Sequence, residues 1–179
     1  MRLAALFLSL VLALPAAARP LSQSEADTLS VAVDAYLAAI GAGSAEKIVA
    51  AMPPRILNVF AGATGVEASQ LTEVLTGQTA AMMKGTRFTD LAAGKSRLQA
   101  EEGTLSDGSQ VTWVLIPTRF TATTGGVATI NEQPLLAVNE GGSWYFVRVD
   151  GPERQQLAAA AYPFLAEVQM PEATVRPAE

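Results

Sequence analysis

The chain has 179 residues, a formal net charge of −5, and neither histidine nor cysteine. The absence of histidine excludes a Ser-His-Asp triad and a histidine-based metal site, and the absence of cysteine excludes disulfides, thiol nucleophiles and iron–sulfur clusters. An acidic chain without a cluster of basic residues is not expected to bind nucleic acid.

The first residues have the pattern of a secretory signal peptide. Met1-Arg2 supplies a positive charge, and the apolar run Leu3–Leu14 is shorter than the ~20 residues that a membrane-spanning helix needs. Ala16-Ala17-Ala18 matches a small-residue cleavage site. We therefore predict that residues 1–18 are removed on export and that the mature protein is periplasmic or secreted, with no membrane association after cleavage.

The rest of the chain is predicted to form a single domain over residues 19–169. A segment of this length can bury enough apolar surface to fold without disulfides. Residues 170–179 contain two prolines and little to bury, so we predict a disordered tail there.

Helical patterns fill the first half of this domain. We predict three helices, over about Ser22–Gly41, Ser44–Met52 and Glu67–Lys84. Ser22 and Glu25 have the spacing of a capping box, and Pro53-Pro54 stops the second helix. The intervening segment Arg55–Gly65 is interpreted as an apolar connection.

Strand patterns begin after Thr86. Turn sequences at Asp107-Gly108, at Gly125-Gly126 and at Asn139-Glu140-Gly141-Gly142 separate β-rich runs and predict an antiparallel meander. The predicted strands are Ser96–Leu105, Gln110–Thr123, Val127–Val138 and Ser143–Val149. Apolar residues change parity within the second of these strands, which predicts a β-bulge near Ile116-Pro117. Pro152 is predicted to begin a C-terminal helix.

This order of elements predicts an α+β fold, and two stretches carry a resemblance to a known family. Tyr36–Met52 resembles the helix–turn–helix opening of the nuclear transport factor 2-like superfamily. Pro134–Val149, in which a turn precedes Trp144, resembles its closing hairpin. The resemblance implies three N-terminal helices packed on a strongly curved antiparallel meander, which together form a cone. The C-terminal helix would be an addition to that layout.

The resemblance also implies where a site would lie, because the open end of the cone is often a ligand pocket. In the ketosteroid-isomerase branch, a tyrosine at the position of Tyr36 stabilises an oxyanion, and a carboxylate base would lie near Phe60. Between Pro53 and Val66 there is neither aspartate nor glutamate. The set of residues that an isomerase needs is therefore incomplete.

We expect an exported domain that binds a small apolar or acidic ligand, or a protein partner, without catalysing a reaction. The candidate binding residues are Tyr36, Phe60, Trp113, Arg119 and Trp144. One alternative is an isomerase or dehydratase that combines Tyr36 with a carboxylate such as Asp90 or Glu132. Another is a structural module of an envelope assembly that dimerises through its sheet face.

No cofactor or metal is expected. No cofactor motif stands out, and the carboxylates that could bind a hard cation lack the spacing of a calcium loop. They are interpreted as solvated charges: Glu101-Glu102, Asp107 and Asp150.

Overall fold

The computed structural model describes residues 18–178. The predicted signal peptide therefore lies outside the described residues, apart from Ala18. The fold is α+β, with helices and a seven-stranded antiparallel sheet.

Four α-helices precede the first long strand, whereas the sequence predicts three. They follow the two-residue strand β1 (Arg19–Pro20) and are α1 (Gln23–Gly41), α2 (Ala45–Ala50), α3 (Pro54–Thr64) and α4 (Ala68–Gly85). The additional helix is α3, in the segment that was interpreted as a connection. Pro54 occupies its first turn, where a proline is tolerated, and Gly65 ends it in the left-handed conformation.

The remaining elements are mostly strands. They are β2 (Thr86–Ala93), β3 (Gln99–Thr104), β4 (Gln110–Thr124), β5 (Val127–Glu140), β6 (Ser143–Arg148), α5 (Pro152–Ala161), a 3₁₀ helix (Pro163–Glu167) and β7 (Thr174–Pro177). Strands β4 and β5 form the centre of the sheet. Strands β2 and β3 both pair with β4, and strands β6 and β7 both pair with β5. The helix predicted to begin at Pro152 is confirmed, and it ends before Pro163.

Two glycine pairs form the tight turns of the central strands. Gly125-Gly126 joins β4 to β5, and Gly141-Gly142 joins β5 to β6, with positive φ at all four residues. Two consecutive positive φ values are the requirement of the type I′ hairpin turn, so both predicted turns are confirmed.

The predicted β-bulge near Ile116-Pro117 is wrong. The register of β4 with β5 runs without a shift from Thr112 to Thr124. The irregularity lies in the neighbouring strand β2, between Thr89 and Ala92, where Asp90 has a φ of 52°.

The change of parity along β4 arises because both faces of the sheet are covered. On one face, Val111 and Trp113 belong to a core that also contains residues of α3, α5 and the 3₁₀ helix. On the other face, Val114 and Ile116 belong to a core with residues of α1. Apolar residues of both parities are therefore buried without any break in the strand.

The predicted disorder of residues 170–179 is wrong for Thr174–Pro177. These residues form β7, which pairs with β5 along Thr129–Glu132, beyond the part of β5 that pairs with β6. All four are exposed. This strand is held by backbone hydrogen bonds to an available strand edge, which need no hydrophobic pattern in the sequence, so it could not be predicted.

An ionic cluster joins β1 to α1 and β3. Arg19 donates two hydrogen bonds to Glu25, at 2.7 and 2.8 Å, and one to Glu102 at 2.7 Å. Glu25 also completes the predicted capping box with Ser22. Hydrogen bonds from Arg19, and then from Ser22, lower the pKa of Glu25 from an ordinary 4.5 to about 2.

We expect Glu25→Gln to destabilise the protein at neutral pH and to have little effect in acid. The depressed pKa means that the carboxylate contributes its stability above about pH 4.5, and that this contribution is lost as the pH falls towards 2. Because Arg19 is 40% exposed, solvent screening limits the loss at pH 7 to about 1–2 kcal/mol. Urea unfolding at pH 7 and at pH 2.5 (roughly the depressed pKa) measures the difference.

Glu73→Gln is the matched control, since Glu73 is exposed on α4. It removes one carboxylate without touching the ionic cluster of Arg19. An equal deficit of the two variants at pH 7 would contradict a specific role for Glu25.

Gly103 in β3 lies directly under the ring of Phe164. A Cβ atom at residue 103 would lie 2.3 Å from Phe164 Cε1. We therefore expect Gly103→Ala to lower the free energy of unfolding by about 1–3 kcal/mol, because the ring must leave its position against Trp113. Chemical unfolding measures the loss.

A second glycine provides the control for this substitution. Gly77 lies in α4 with open space around it, so Gly77→Ala is expected to stabilise the protein by up to ~1 kcal/mol. A Gly103→Ala variant as stable as the wild type would show that the position of the Phe164 ring does not require a glycine at residue 103.

Candidate functional site

A cavity of about 70 Å³ lies between α1, α4 and the sheet. A single water molecule needs roughly 10–15 Å³ on this measure, so the cavity has room for several waters or for part of a small organic molecule. It lies on the sheet face that packs against α1, beyond the buried core formed there by Val114, Ile116 and Phe146.

The walls of the cavity are mainly apolar. Helices α1, α2 and α4 and strands β2, β4 and β5 contribute the apolar side chains Leu37, Ile40, Ile48, Met82, Met83, Phe88, Leu91, Phe120 and Leu135. Met82 is 50% exposed, which places a flexible thioether at the rim. A site of this composition favours an apolar ligand body over a strongly hydrated one.

Tyr36 supplies a hydroxyl group to this apolar surrounding. Its ring stacks on Phe146 with a centroid distance of 4.9 Å, which fixes its orientation. Among the described residues, the hydroxyl has no hydrogen-bond partner. Its oxygen is not fully enclosed by protein atoms, and Tyr36 lines the cavity. The hydroxyl therefore borders the cavity and is available to a ligand.

Burial raises the pKa of Tyr36 above its usual value of 10. The positive charge of Arg148 opposes that rise, and the carboxylate of Asp150 adds to it. The phenol is therefore protonated at neutral pH and can donate a hydrogen bond.

Arg148 also lines the cavity, at the end of β6. It donates from Nε and Nη2 to the two carboxylate oxygens of Asp150, at 3.0 and 2.8 Å. Nη2 also donates to Gln133 Oε1 at 3.3 Å. Of the cavity-lining residues in the described part of the chain, Arg148 alone carries a formal charge.

The other predicted binding residues lie away from the cavity. Trp113 is in the core on the opposite sheet face, where its ring stacks on Phe164 at 6.1 Å. Phe60 packs against the same core from α3. Trp144 is buried on the α1 side, but its indole Nε1 donates to Thr28 Oγ1 at 3.1 Å and it does not border the cavity.

Arg119 is on the face of β4 opposite the cavity. It is paired in register with Glu132 of β5, and the two side chains form an ion pair at 3.9 Å with more than half of each exposed. The parity of β4 explains this placement, since Thr118 and Phe120 point to the cavity and the residue between them points away.

The carboxylates considered for an enzyme are also outside the cavity. Asp90 is exposed in the bulge of β2, and Glu132 pairs with Arg119 on the far face. No aspartate or glutamate among residues 18–178 lines the cavity. Within the same residues, no group of three or more potential ligands is placed to hold a metal ion.

Sequence reasoning missed Arg148 and Gln133. The signal that indicates Arg148 is its position in an apolar strand, two residues before Asp150, because residues two apart in an extended segment lie on the same side. Gln133 comes to the same place because β5 and β6 are paired with Leu135 opposite Arg148.

No protein-family model matches the chain, and searches of curated proteins and of solved structures return no significant match. The resemblance to the nuclear transport factor 2-like superfamily therefore stays a prediction. Between residues 18 and 178, no helix has both the length and the apolar character needed to cross a bilayer.

Tyr36→Phe and Tyr162→Phe are expected to differ sharply in stability. Within residues 18–178 the hydroxyl of Tyr36 has no hydrogen-bond partner, so its removal should change the free energy of unfolding by less than about 0.5 kcal/mol. The buried Tyr162 donates its hydroxyl hydrogen to Glu140, and removal of that group should cost about 1–3 kcal/mol. Urea unfolding of both variants checks this, and an equal loss would contradict a free Tyr36 hydroxyl.

Proposed function

We propose that this protein is an exported, non-catalytic domain that holds a small, mainly apolar molecule in the cavity beside Tyr36. The observation that carries the proposal is an apolar cavity bordered by an oriented hydroxyl group that has no hydrogen-bond partner in the described part of the chain. Such a combination suits a ligand that fills the apolar space and makes one or two polar contacts. Export rests on the signal-peptide pattern of residues 1–18.

The proposal includes the cone of the nuclear transport factor 2-like superfamily as the architecture. The α+β sheet with helices before it, and the position of Tyr36 in α1 at a cavity, support this assignment. The fourth helix α3 and the covering of the second sheet face by α5 are additions to the expected layout.

Binding without catalysis is favoured over the isomerase alternative by the lining of the cavity. A proton transfer needs a base within hydrogen-bond reach of the substrate. The carboxylate nearest in the chain to the cavity-lining Arg148, that of Asp150, is held by Arg148 and Arg154 at 2.8 and 2.9 Å. Both oxygens of this carboxylate already accept hydrogen bonds from guanidinium groups, so neither is free to face a substrate in the cavity.

A homodimer through the sheet face stays an alternative proposal, but only part of that face is available for contact with a partner. Helix α5 and the 3₁₀ helix pack over the part of this face that contains Val111, Trp113 and Leu136. A partner would have to use the exposed remainder of the face around Arg119 and Glu132.

Filling the cavity should abolish binding. Leu91→Phe places a larger side chain in the lining, whereas Val127→Phe adds the same group at a site that is 68% exposed and outside the cavity. We expect single-ring compounds, tested as neutral and anionic members of one series, to raise the Tm of the wild type and of Val127→Phe but not of Leu91→Phe. NMR titration should show perturbed amides around Tyr36.

Two outcomes would contradict the proposal. One is the absence of any shift in Tm or amide resonance with every member of the series. The other is an unchanged response of Leu91→Phe, which would place binding elsewhere.

A further inference from the structure

We infer that the ligand is a small carboxylic acid, bound as its anion with the carboxylate between Arg148 and Tyr36 and the apolar body between α1, α4 and β2. This inference rests on the proposed function and specifies the class of ligand. It follows from two observations: the unpaired polar groups of the cavity are hydrogen-bond donors, and the ionic cluster around Arg148 has a net positive charge.

The unpaired polar groups of the cavity are hydrogen-bond donors. Within the described residues, no partner is found for Arg148 Nη1, for the Gln133 side-chain amide nitrogen or for the Tyr36 hydroxyl, and all three residues line the cavity. The one remaining polar lining residue, Thr118, donates its hydroxyl hydrogen to the backbone oxygen of Gln133 at 2.8 Å. A group that only accepts hydrogen bonds, such as a carboxylate, matches this set.

The ion pairs around Arg148 leave it a net positive charge for the ligand. Asp150 takes the edge of the guanidinium formed by Nε and Nη2, and it is shared with Arg154 at 2.9 Å. Two guanidinium groups thus contact one carboxylate, so the cluster carries a charge of +1 next to a cavity to which the described residues contribute no acidic side chain. A ligand anion balances it.

Asp150 acts as a positioning residue in this arrangement. By holding Nε and Nη2, it fixes the plane of the guanidinium and leaves Nη1 for the ligand. Gln133 restricts the same plane from β5, through its oxygen on Nη2. A planar guanidinium held in this way is suited to recognise a second carboxylate with little loss of side-chain freedom.

The apolar body of the ligand is placed by side chains of β2 and α4. Phe88 and Leu91 line the cavity from β2, which is separated by β4 from the strands that carry Gln133 and Arg148, and Met83 lines it from α4. A neutral alcohol with the same body would fill the same space but could not accept from three donors or balance the charge. Discrimination between acid and alcohol is therefore the property that identifies this site.

The test compares cyclohexanecarboxylate with cyclohexanemethanol by calorimetry or NMR titration. We expect the wild type to bind the acid at least 10-fold more tightly than the alcohol. Arg148→Met should lower the affinity for the acid by about 10- to 100-fold, as expected for the loss of charge-assisted hydrogen bonds. It should change the affinity for the alcohol by less than about 3-fold. Tyr36→Phe should weaken the acid by about 3- to 10-fold.

Arg119→Met is the matched control, because it removes the same charged group from the other face of the sheet. It should leave the affinity for both compounds unchanged. Arg148→Lys keeps the charge but not the planar group, and an intermediate affinity for the acid is expected. The Tm of each variant, measured without ligand, verifies that Arg148→Met is folded.

The results separate the two proposals. Equal affinity of acid and alcohol, with no effect of Arg148→Met, would overturn the assignment of a carboxylic acid and leave the binding function in place. If Arg148→Met and Arg119→Met lowered the affinity for the acid equally, the acid would be attracted by net charge, and a specific contact with Arg148 would be contradicted. Failure of both compounds to bind would overturn the binding function itself.

Discussion

The structure depends on the burial of both faces of one long hairpin. Strands β4 and β5 pair without interruption from Thr112 to Thr124, and neither face of the pair is left to solvent over its first half. Helix α1 covers one face, and α3, α5 and the 3₁₀ helix cover the other. A domain without cysteine has no disulfides, and it obtains its stability from this two-sided burial.

The same hairpin extends beyond its covered half, and the cavity lies there. Towards the Gly125-Gly126 turn, the residues of β4 become partly exposed, and the side chains of Thr118 and Phe120 face a space that α1 and α4 do not fill. One half of the hairpin is thus packed on both faces, and the other half borders the cavity next to Tyr36. Arg148 and Gln133 lie near the boundary between the two halves, where the sheet is still well packed.

Local signals predicted much of the fold. The capping box at Ser22, the turn glycines and Pro152 each act through neighbouring residues, and the elements that they delimit lie where the sequence indicated. Helix α3 was missed because Pro54 and Gly62 are typical of connections, although a proline fits the first turn of a helix. The irregularity in β2 and the pairing of β7 with β5 were missed because both depend on which strand lies alongside. The sequence of a strand does not show which strand will be its neighbour.

The site was harder to predict than the fold for the same reason. Tyr36 was singled out through the family resemblance of the segment in which it lies, whereas Arg148 and Gln133 meet only through the register of β5 with β6. Arg119 was chosen as a candidate because its neighbours in the strand are apolar. Those neighbours alternate between two faces of the sheet, and the side chain of Arg119 lies on the exposed one. When both faces of a sheet are covered, an apolar strand does not reveal which of its polar residues faces a cavity.

Gly103 has a consequence for how this sequence is able to diverge. The ring of Phe164 occupies the volume that any side chain at position 103 would need, so the two positions share one space. Relatives that carry a larger residue at 103 should carry a smaller one at 164, and the two substitutions should be inherited together. Co-variation of this pair in an alignment would thus mark the chains in which the C-terminal segment still closes over the sheet.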